Sequence, residues 1–107
     1  MSEVPAIVDG DFDNEVVRSE TPVLVDFWAP WCRPCLAMGP AIEDLWKNYN
    51  GKIKVLKMNV EDNKRTPVKF GIRAIPTLIL FKDGKVVEQI VGNVSKQKIE
   101  ETFKKVL

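Results

Sequence analysis

The sequence predicts an α/β domain in which a central mixed five-stranded sheet is flanked by helices on both faces. Three observations carry that prediction. Apolar runs of strand length alternate along the chain with segments whose apolar residues recur every three or four positions, the pattern of strands joined by crossover helices. Val23 to Trp28 is apolar throughout except for Asp26, as in a strand buried on both faces. Asp83-Gly84 separates the last two strand-like runs, so these form an antiparallel hairpin and the sheet becomes mixed. With 107 residues, the chain has the length of one domain, residues 1–107.

Taken in order, Pro5-Ala6-Ile7-Val8 is a short apolar run suited to an edge strand. Asp9-Gly10 turns the chain. Asp11 then stands where it can cap a short helix, with Phe12, Val16 and Val17 on the buried side and Asp13 and Glu15 in the first turn. Thr21-Pro22 ends that unit and leads into the Val23 to Trp28 strand. A long helix follows, from Leu36 to Tyr49. Pro34 falls in its first turn, where backbone N–H groups lack intrahelical partners anyway, but Pro40 lies mid-segment and predicts a kink. Ala41, Ile42, Leu45 and Trp46 make its core stripe, and Asn50-Gly51 stops it.

Lys52 to Val60 alternates, with Ile53, Val55 and Lys57 on one face and Lys54, Leu56 and Met58 on the other. Lys57 thus falls on an otherwise apolar face. Asp62 to Phe70 predicts a helix interrupted near Pro67 and ended by Gly71. Ile75-Pro76 precedes the strand Thr77 to Phe81, and Val86 to Val91 completes the hairpin before Gly92 breaks it. Ser95 caps the last helix, whose apolar positions are Ile99, Phe103, Val106 and Leu107.

Composition narrows the function. Hydrophobic residues make up 45% and charged residues 29%, values that support a core without covalent staples. The formal net charge of +1 gives no electrostatic footprint for nucleic acid or an anionic membrane, and Lys96, Lys98, Lys104 and Lys105 read as solvated helix faces. The first ten residues lack the basic segment of a signal peptide, and no run reaches the apolar length of a membrane span. The expected location is the cytoplasm, where a cysteine pair is more often catalytic than structural.

The chemistry concentrates in Trp28-Ala29-Pro30-Trp31-Cys32-Arg33-Pro34-Cys35, which holds both cysteines of the chain at a strand-to-helix junction. The N-terminus of a helix carries free N–H groups and a positive partial charge, which stabilise a thiolate and lower its pKa. Spacing i, i+3 brings the second sulfur onto the face of the first, so the two can close a reversible disulfide. Cys32, nearer the helix start, is expected to be the exposed nucleophile, and Cys35, a turn deeper, the buried resolving thiol. The alternatives are a pair of incidental buried thiols or half of a zinc site. Zinc wants four ligands, and a chain with two cysteines and no histidine would have to share a four-thiolate site between two subunits.

Asp26 is the second signal. A carboxylate in a buried strand is expensive unless it is paired or neutral, and burial raises its pKa toward the range useful for proton transfer. Parity puts Asp26 on the face of Leu24 and Trp28, with Lys57 of the adjacent strand as its charge partner. The bland reading is a carboxylate turned to the surface or merely hydrogen-bonded. Pro76 by itself reads as a plain turn, since a cis bond is the minority form, roughly 5–6% of X–Pro bonds.

The run Val25-Asp26-Phe27-Trp28-Ala29-Pro30-Trp31-Cys32-Arg33-Pro34-Cys35, followed by Ile75-Pro76-Thr77, Phe81-Lys82-Asp83-Gly84 and Val91-Gly92, resembles the thioredoxin family in order and spacing from Asp9 to the final helix. The resemblance implies the thioredoxin fold and thiol–disulfide exchange with protein substrates. It makes Cys32 the attacking cysteine, Cys35 the resolving one, Asp26 the family's buried aspartate and Lys57 the lysine beside it. It implies a cis Ile75–Pro76 bond in a loop lying against the disulfide. Trp31, Ala74, Ile75, Pro76, Val91 and Gly92 become the substrate-binding surface. No cofactor is implied within the chain, which has no Gly-rich dinucleotide fingerprint. By the same resemblance the electrons are expected from a separate thioredoxin reductase, the clients are expected to be disulfide-containing proteins, and the chain is expected to be a monomer.

Three positions depart from the family pattern. Arg33-Pro34 replaces the usual Gly-Pro, Leu36 stands where a basic residue is common, and Ala74 where Gly is common. The Arg33 guanidinium favours the Cys32 thiolate and so the reduced form. A couple more oxidising by roughly 20 mV is therefore expected. That shift lends some weight to an oxidase or isomerase as the alternative function. A non-catalytic binding module is the other alternative.

Overall fold

The structure is a computed structural model that describes residues 3–107. Its strands are β1 (Val23–Trp28), β2 (Lys54–Asn59), β3 (Thr77–Lys82) and β4 (Lys85–Val91). Its α-helices are α1 (Arg33–Ala37), α2 (Gly39–Asn48), α3 (Arg65–Lys69) and α4 (Lys96–Phe103). The sheet is four-stranded and mixed, in the order β2-β1-β3-β4. β1 runs parallel to β2 and antiparallel to β3, and β3 and β4 are antiparallel. The expected fifth strand is reduced to a single parallel bridge between Ala6 and Lys57. It does lie at the sheet edge, beside β2, where Lys57 donates its N–H to Pro5 and accepts from Ile7.

Both faces of the sheet are covered. Leu24, Val55, Leu78 and Leu80 pack with Met38, Ile42 and Leu45 of the long helical segment and with Ile99 and Phe103 of α4. On the opposite face, Val25, Phe27, Leu56, Met58, Ile79 and Phe81 pack with Ile7, Phe12 and Val16, and Phe70 and Ile72 close over them. β1 is therefore apolar on both sides because both sides are core. Asp26 is the polar residue interrupting it.

The helices follow expectation at Pro40 and Ser95 and differ from it at Asp11 and Pro67. Pro40 splits the long helix: α1 ends at Ala37, Met38 turns, and α2 begins at Gly39. Pro40 has no N–H for the Leu36 carbonyl, so the i→i−4 ladder breaks there. The turn before β1 is a 3-10 segment, Asp9–Asp11, running into a π-helical stretch, Asp13–Val17. Asp11 makes no capping bond. It lies inside a continuous helical path, whereas a cap needs an extended residue at the start. Pro67 does not interrupt α3, because α3 starts only at Arg65 and Pro67 falls in the first turn. Ser95 caps α4 as expected, its Oγ accepting from Lys98 N at 3.2 Å.

The β3–β4 turn uses Asp83 and Gly84, both at positive φ, 53° and 76°, as the two central residues of a tight hairpin require. At Gly84 a side chain is also excluded by packing, since a Cβ would lie 2.9 Å from the Val17 carbonyl oxygen.

Candidate active site

β1 delivers the chain to the edge of the core at Trp28, and α1 begins five residues later. Cys32 is the N-cap of α1, extended at φ −88° and ψ 105°, and Pro34 sits in the first turn. Cys32 and Cys35 form a disulfide with their Cα atoms 5.3 Å apart. The Cys35 N–H, one of the free donors at the helix start, points at Cys32 Sγ from 3.2 Å. That donor would stabilise negative charge on Cys32 once the disulfide opens.

The expected contrast in exposure is absent in this oxidised form. Cys32 and Cys35 are each 4% exposed. Ala29, Trp28, Val60 and Ile75 pack around the pair, so the cover over Cys32 comes partly from a loop distant in sequence. Ile75–Pro76 is a cis peptide, and the Ile75 carbonyl oxygen lies 3.8 Å from Cys32 Sγ. A disulfide sulfur carries no proton, so this is a contact, not a hydrogen bond. The loop is held at its base, where Gly92 donates its N–H to the Pro76 carbonyl at 2.8 Å and the Thr77 hydroxyl donates to Ala74 O at 2.6 Å.

Around this contact the structure gathers the apolar residues singled out in the sequence. Trp31 is 66% exposed and Val91 58% exposed. Val91 pairs with Thr77 in the β3–β4 register, which brings it and Gly92 beside the Pro76 loop. Ala74 is exposed and Ile75 half-buried. Arg33 and Pro34 are exposed on the first turn of α1, and Arg33 makes no ion pair among the described residues.

Asp26 is 2% exposed, and its Oδ1 has no hydrogen-bond partner. Burial pushes its carboxyl up to about 7, against the opposing pull of the Lys57 charge. Asp26 and Lys57 are register partners across β1 and β2. Yet no ion pair joins them; Lys57 Nζ instead lies over the Trp28 ring, 4.2 Å from its centroid. Lys57, Trp28 and Cys35 line one open cavity of about 830 Å³, walled by the Val4–Val8 segment, Leu36 and Pro40. Among the described residues, no group of three or more His, Cys, Asp or Glu is arranged to hold a metal. No helix among them is long and apolar enough to cross a membrane.

The thioredoxin family profile matches residues 3–105. The chain belongs to the thioredoxin family. It is 50% identical to a thioredoxin of Haemophilus influenzae, over 92% of each chain. It is 46% identical to a thioredoxin of Synechocystis along the whole of both. The chloroplastic M-type thioredoxin of Pisum sativum is also 46% identical, over 98% of this chain and 61% of that one. Membership makes the chain a thiol–disulfide oxidoreductase of the thioredoxin type, with the Cys32–Cys35 disulfide as its redox centre.

Two features of this thioredoxin-family site escaped the sequence reading. One is the place of the Lys57 ammonium on Trp28, for which the shared parity of Asp26 and Trp28 was a usable hint. The other is the cavity beside Cys35, whose wall is an N-terminal segment with no sequence signal linking it to the active-site helix.

Proposed function

We propose that this thioredoxin-family chain acts as a protein-disulfide reductase, a single domain over residues 1–107. The Cys32 thiolate attacks a client disulfide; the client S–S bond breaks, a Cys32–client S–S bond forms, and the departing client sulfur takes a proton. Asp26 takes the proton of Cys35. The Cys35 thiolate then attacks Cys32 Sγ, expelling the second client sulfur and leaving the Cys32–Cys35 disulfide, so two electrons pass to the client. The observation that carries this order is Cys32 at the N-cap of α1 with the Cys35 N–H aimed at its sulfur. Lys57 modulates the Asp26 charge, Arg33 and Pro34 tune the couple, and Trp31, Ala74, Ile75, Pro76, Val91 and Gly92 receive an extended client segment by strand addition.

No cofactor is needed within the chain. A separate thioredoxin reductase restores the dithiol, the clients are disulfide-bearing proteins, and the protein works as a monomer in the cytoplasm, supplying electrons for thiol homeostasis. The chloroplastic relative shows that the same fold also serves in another compartment.

The test has three parts. Incubated with a disulfide-bonded substrate protein, Cys35→Ser should accumulate a mixed disulfide and Cys32→Ser should form none; the reverse pattern would exchange the roles. Asp26→Asn should slow release of the mixed disulfide by about 10²-fold or more near neutral pH, and an unchanged rate would remove Asp26 from the mechanism. The reduction potential, equilibrated against a thiol/disulfide buffer, should lie at the reducing end. A value at the oxidant end would favour the oxidase or isomerase reading that Arg33 raises.

A further inference from the structure

The cation nearest Asp26 has two places to go. Lys57 is the register neighbour of Asp26 on β2, and Trp28, two residues along β1 on the same face, offers a ring to the same ammonium. The ring holds it in this structure, at 4.2 Å, and Asp26 Oδ1 is left without a partner. We propose that Trp28 is a positioning residue, whose indole face holds the Lys57 ammonium and so limits how strongly that charge acts on the Asp26 carboxyl.

The surroundings make this pair decisive. On the other side of β1, β3 presents Leu78 to Asp26. The helices over this face supply Ile42, Leu45, Ile99 and Phe103. The remaining charges are Glu43 of α2 and Asp62 beyond β2, which line the cavity that Lys57 enters. Neither is a cation, so neither would favour ionisation of Asp26. Among the described residues, Lys57 is the cation placed to favour it, as the opposing pull on the Asp26 carboxyl also indicates.

A cation over an indole face is attracted by the ring quadrupole, and more strongly where water is partly excluded. Ionising Asp26 draws Lys57 toward the carboxylate and off the ring. Losing the ring contact opposes that step, so Trp28 helps keep the carboxyl protonated up to neutral pH. Functionally, this rests on the reading of Asp26 as the proton acceptor for Cys35.

The test follows the Asp26 carboxyl carbon by NMR through a pH titration of the oxidised full chain, in which Cys35 carries no proton. Failure here is therefore distinct from failure of the acceptor reading, which the mixed-disulfide release rate decides. Trp28→Leu should lower the Asp26 midpoint by roughly 0.5 to 1 pH unit, and Trp28→Phe, which keeps a ring, by less. In a Lys57→Met background the Trp28→Leu shift should be smaller or absent. An equal shift in both backgrounds would assign the effect to hydration of Asp26 and overturn the proposal, as would no shift in either. A second measurement needs no variant. The Lys57 ε-methylene protons, shielded by the Trp28 ring current, should move downfield with the Asp26 midpoint in the wild-type chain. Resonances that stay fixed through that midpoint would overturn the proposal.

Discussion

Asp9 closes the start of α3 from 57 positions away: its Oδ1 accepts the Thr66 N–H at 2.9 Å, and its Oδ2 accepts the Arg65 N–H at 3.0 Å. The Asp9 N–H in turn donates to Asn63 Oδ1 at 2.9 Å. The helix-capping carboxylate is thus supplied by the N-terminal segment, which also walls the cavity beside Cys35. Burial pushes the Asp9 carboxyl up, but the hydrogen bonds of Thr66 and Arg65 outweigh it and hold the group below its ordinary value. Asp9→Ala should cost about 1 kcal/mol, as for the loss of an N-cap. Because the folded-state value is depressed, the contribution is present above the unfolded carboxylate value and lost as pH falls through the folded one. Urea unfolding at neutral and acid pH, with hydrogen exchange at the Arg65 and Thr66 amides, checks both; an unchanged exchange rate at those amides would contradict the cap.

The buried Asp26 should make the fold less stable as pH rises. Its carboxyl is raised to about 7 from an ordinary value of 3.8. Below the unfolded value both states are protonated and burial carries no ionisation penalty. Between the two values the unfolded chain has released the proton and the folded chain still holds it, so stability falls with pH and levels off above the folded value. Asp26→Asn removes that dependence. Its stability relative to wild type should rise by up to roughly 4 kcal/mol between about pH 4 and pH 8. Parallel stability curves for the two proteins would refute the burial argument.

Arg33 is exposed and without an ion pair among the described residues, next to the N-cap cysteine. Its charge should favour the Cys32 thiolate and thereby the reduced form. Arg33→Gly is expected to lower the reduction potential by roughly 20 mV, an effect that shrinks with added salt. Equilibration against glutathione at two salt concentrations measures it, and an unchanged or higher potential would count against the charge argument.

Gly84 and Gly51 separate strain from crowding. Both have positive φ, 76° and 89°, but a Cβ on Gly84 would meet Val17 O at 2.9 Å while one on Gly51 meets nothing within 4 Å. Gly51→Ala should cost about 1 kcal/mol for backbone strain alone, and Gly84→Ala clearly more, roughly 2–4 kcal/mol, because backbone must also move. Equal losses in chemical denaturation would mean that the contact with Val17 relaxes freely.

Much of this architecture was legible along the chain because its signals are local. The apolar run around Asp26, the alternation of Lys52 to Val60, the Asp83-Gly84 turn and the Ser95 cap each act within a few residues, and each element formed where they stand. The cysteine pair at a strand-to-helix junction was equally plain. The cis form of Ile75–Pro76 came from family resemblance, since a proline in a turn has no local mark of its isomer. The kink at Pro40 formed as expected, whereas the Asp11 cap and the Pro67 interruption did not, because Asp11 lies within a continuous helical path and Pro67 in the first turn of a helix that starts only at Arg65.

Tertiary structure decided what depends on partners distant in sequence. It assigned the Asp9 carboxylate to α3 instead of to its own turn, covered Cys32 with Ile75, and reduced the N-terminal strand to one bridge at Lys57. It also placed the Lys57 ammonium on Trp28 and not on Asp26. Hydrophobic periodicity specifies which face of an element is buried. Which polar group meets which charge inside that burial depends on side-chain packing across strands, and only the folded chain brings those atoms within reach.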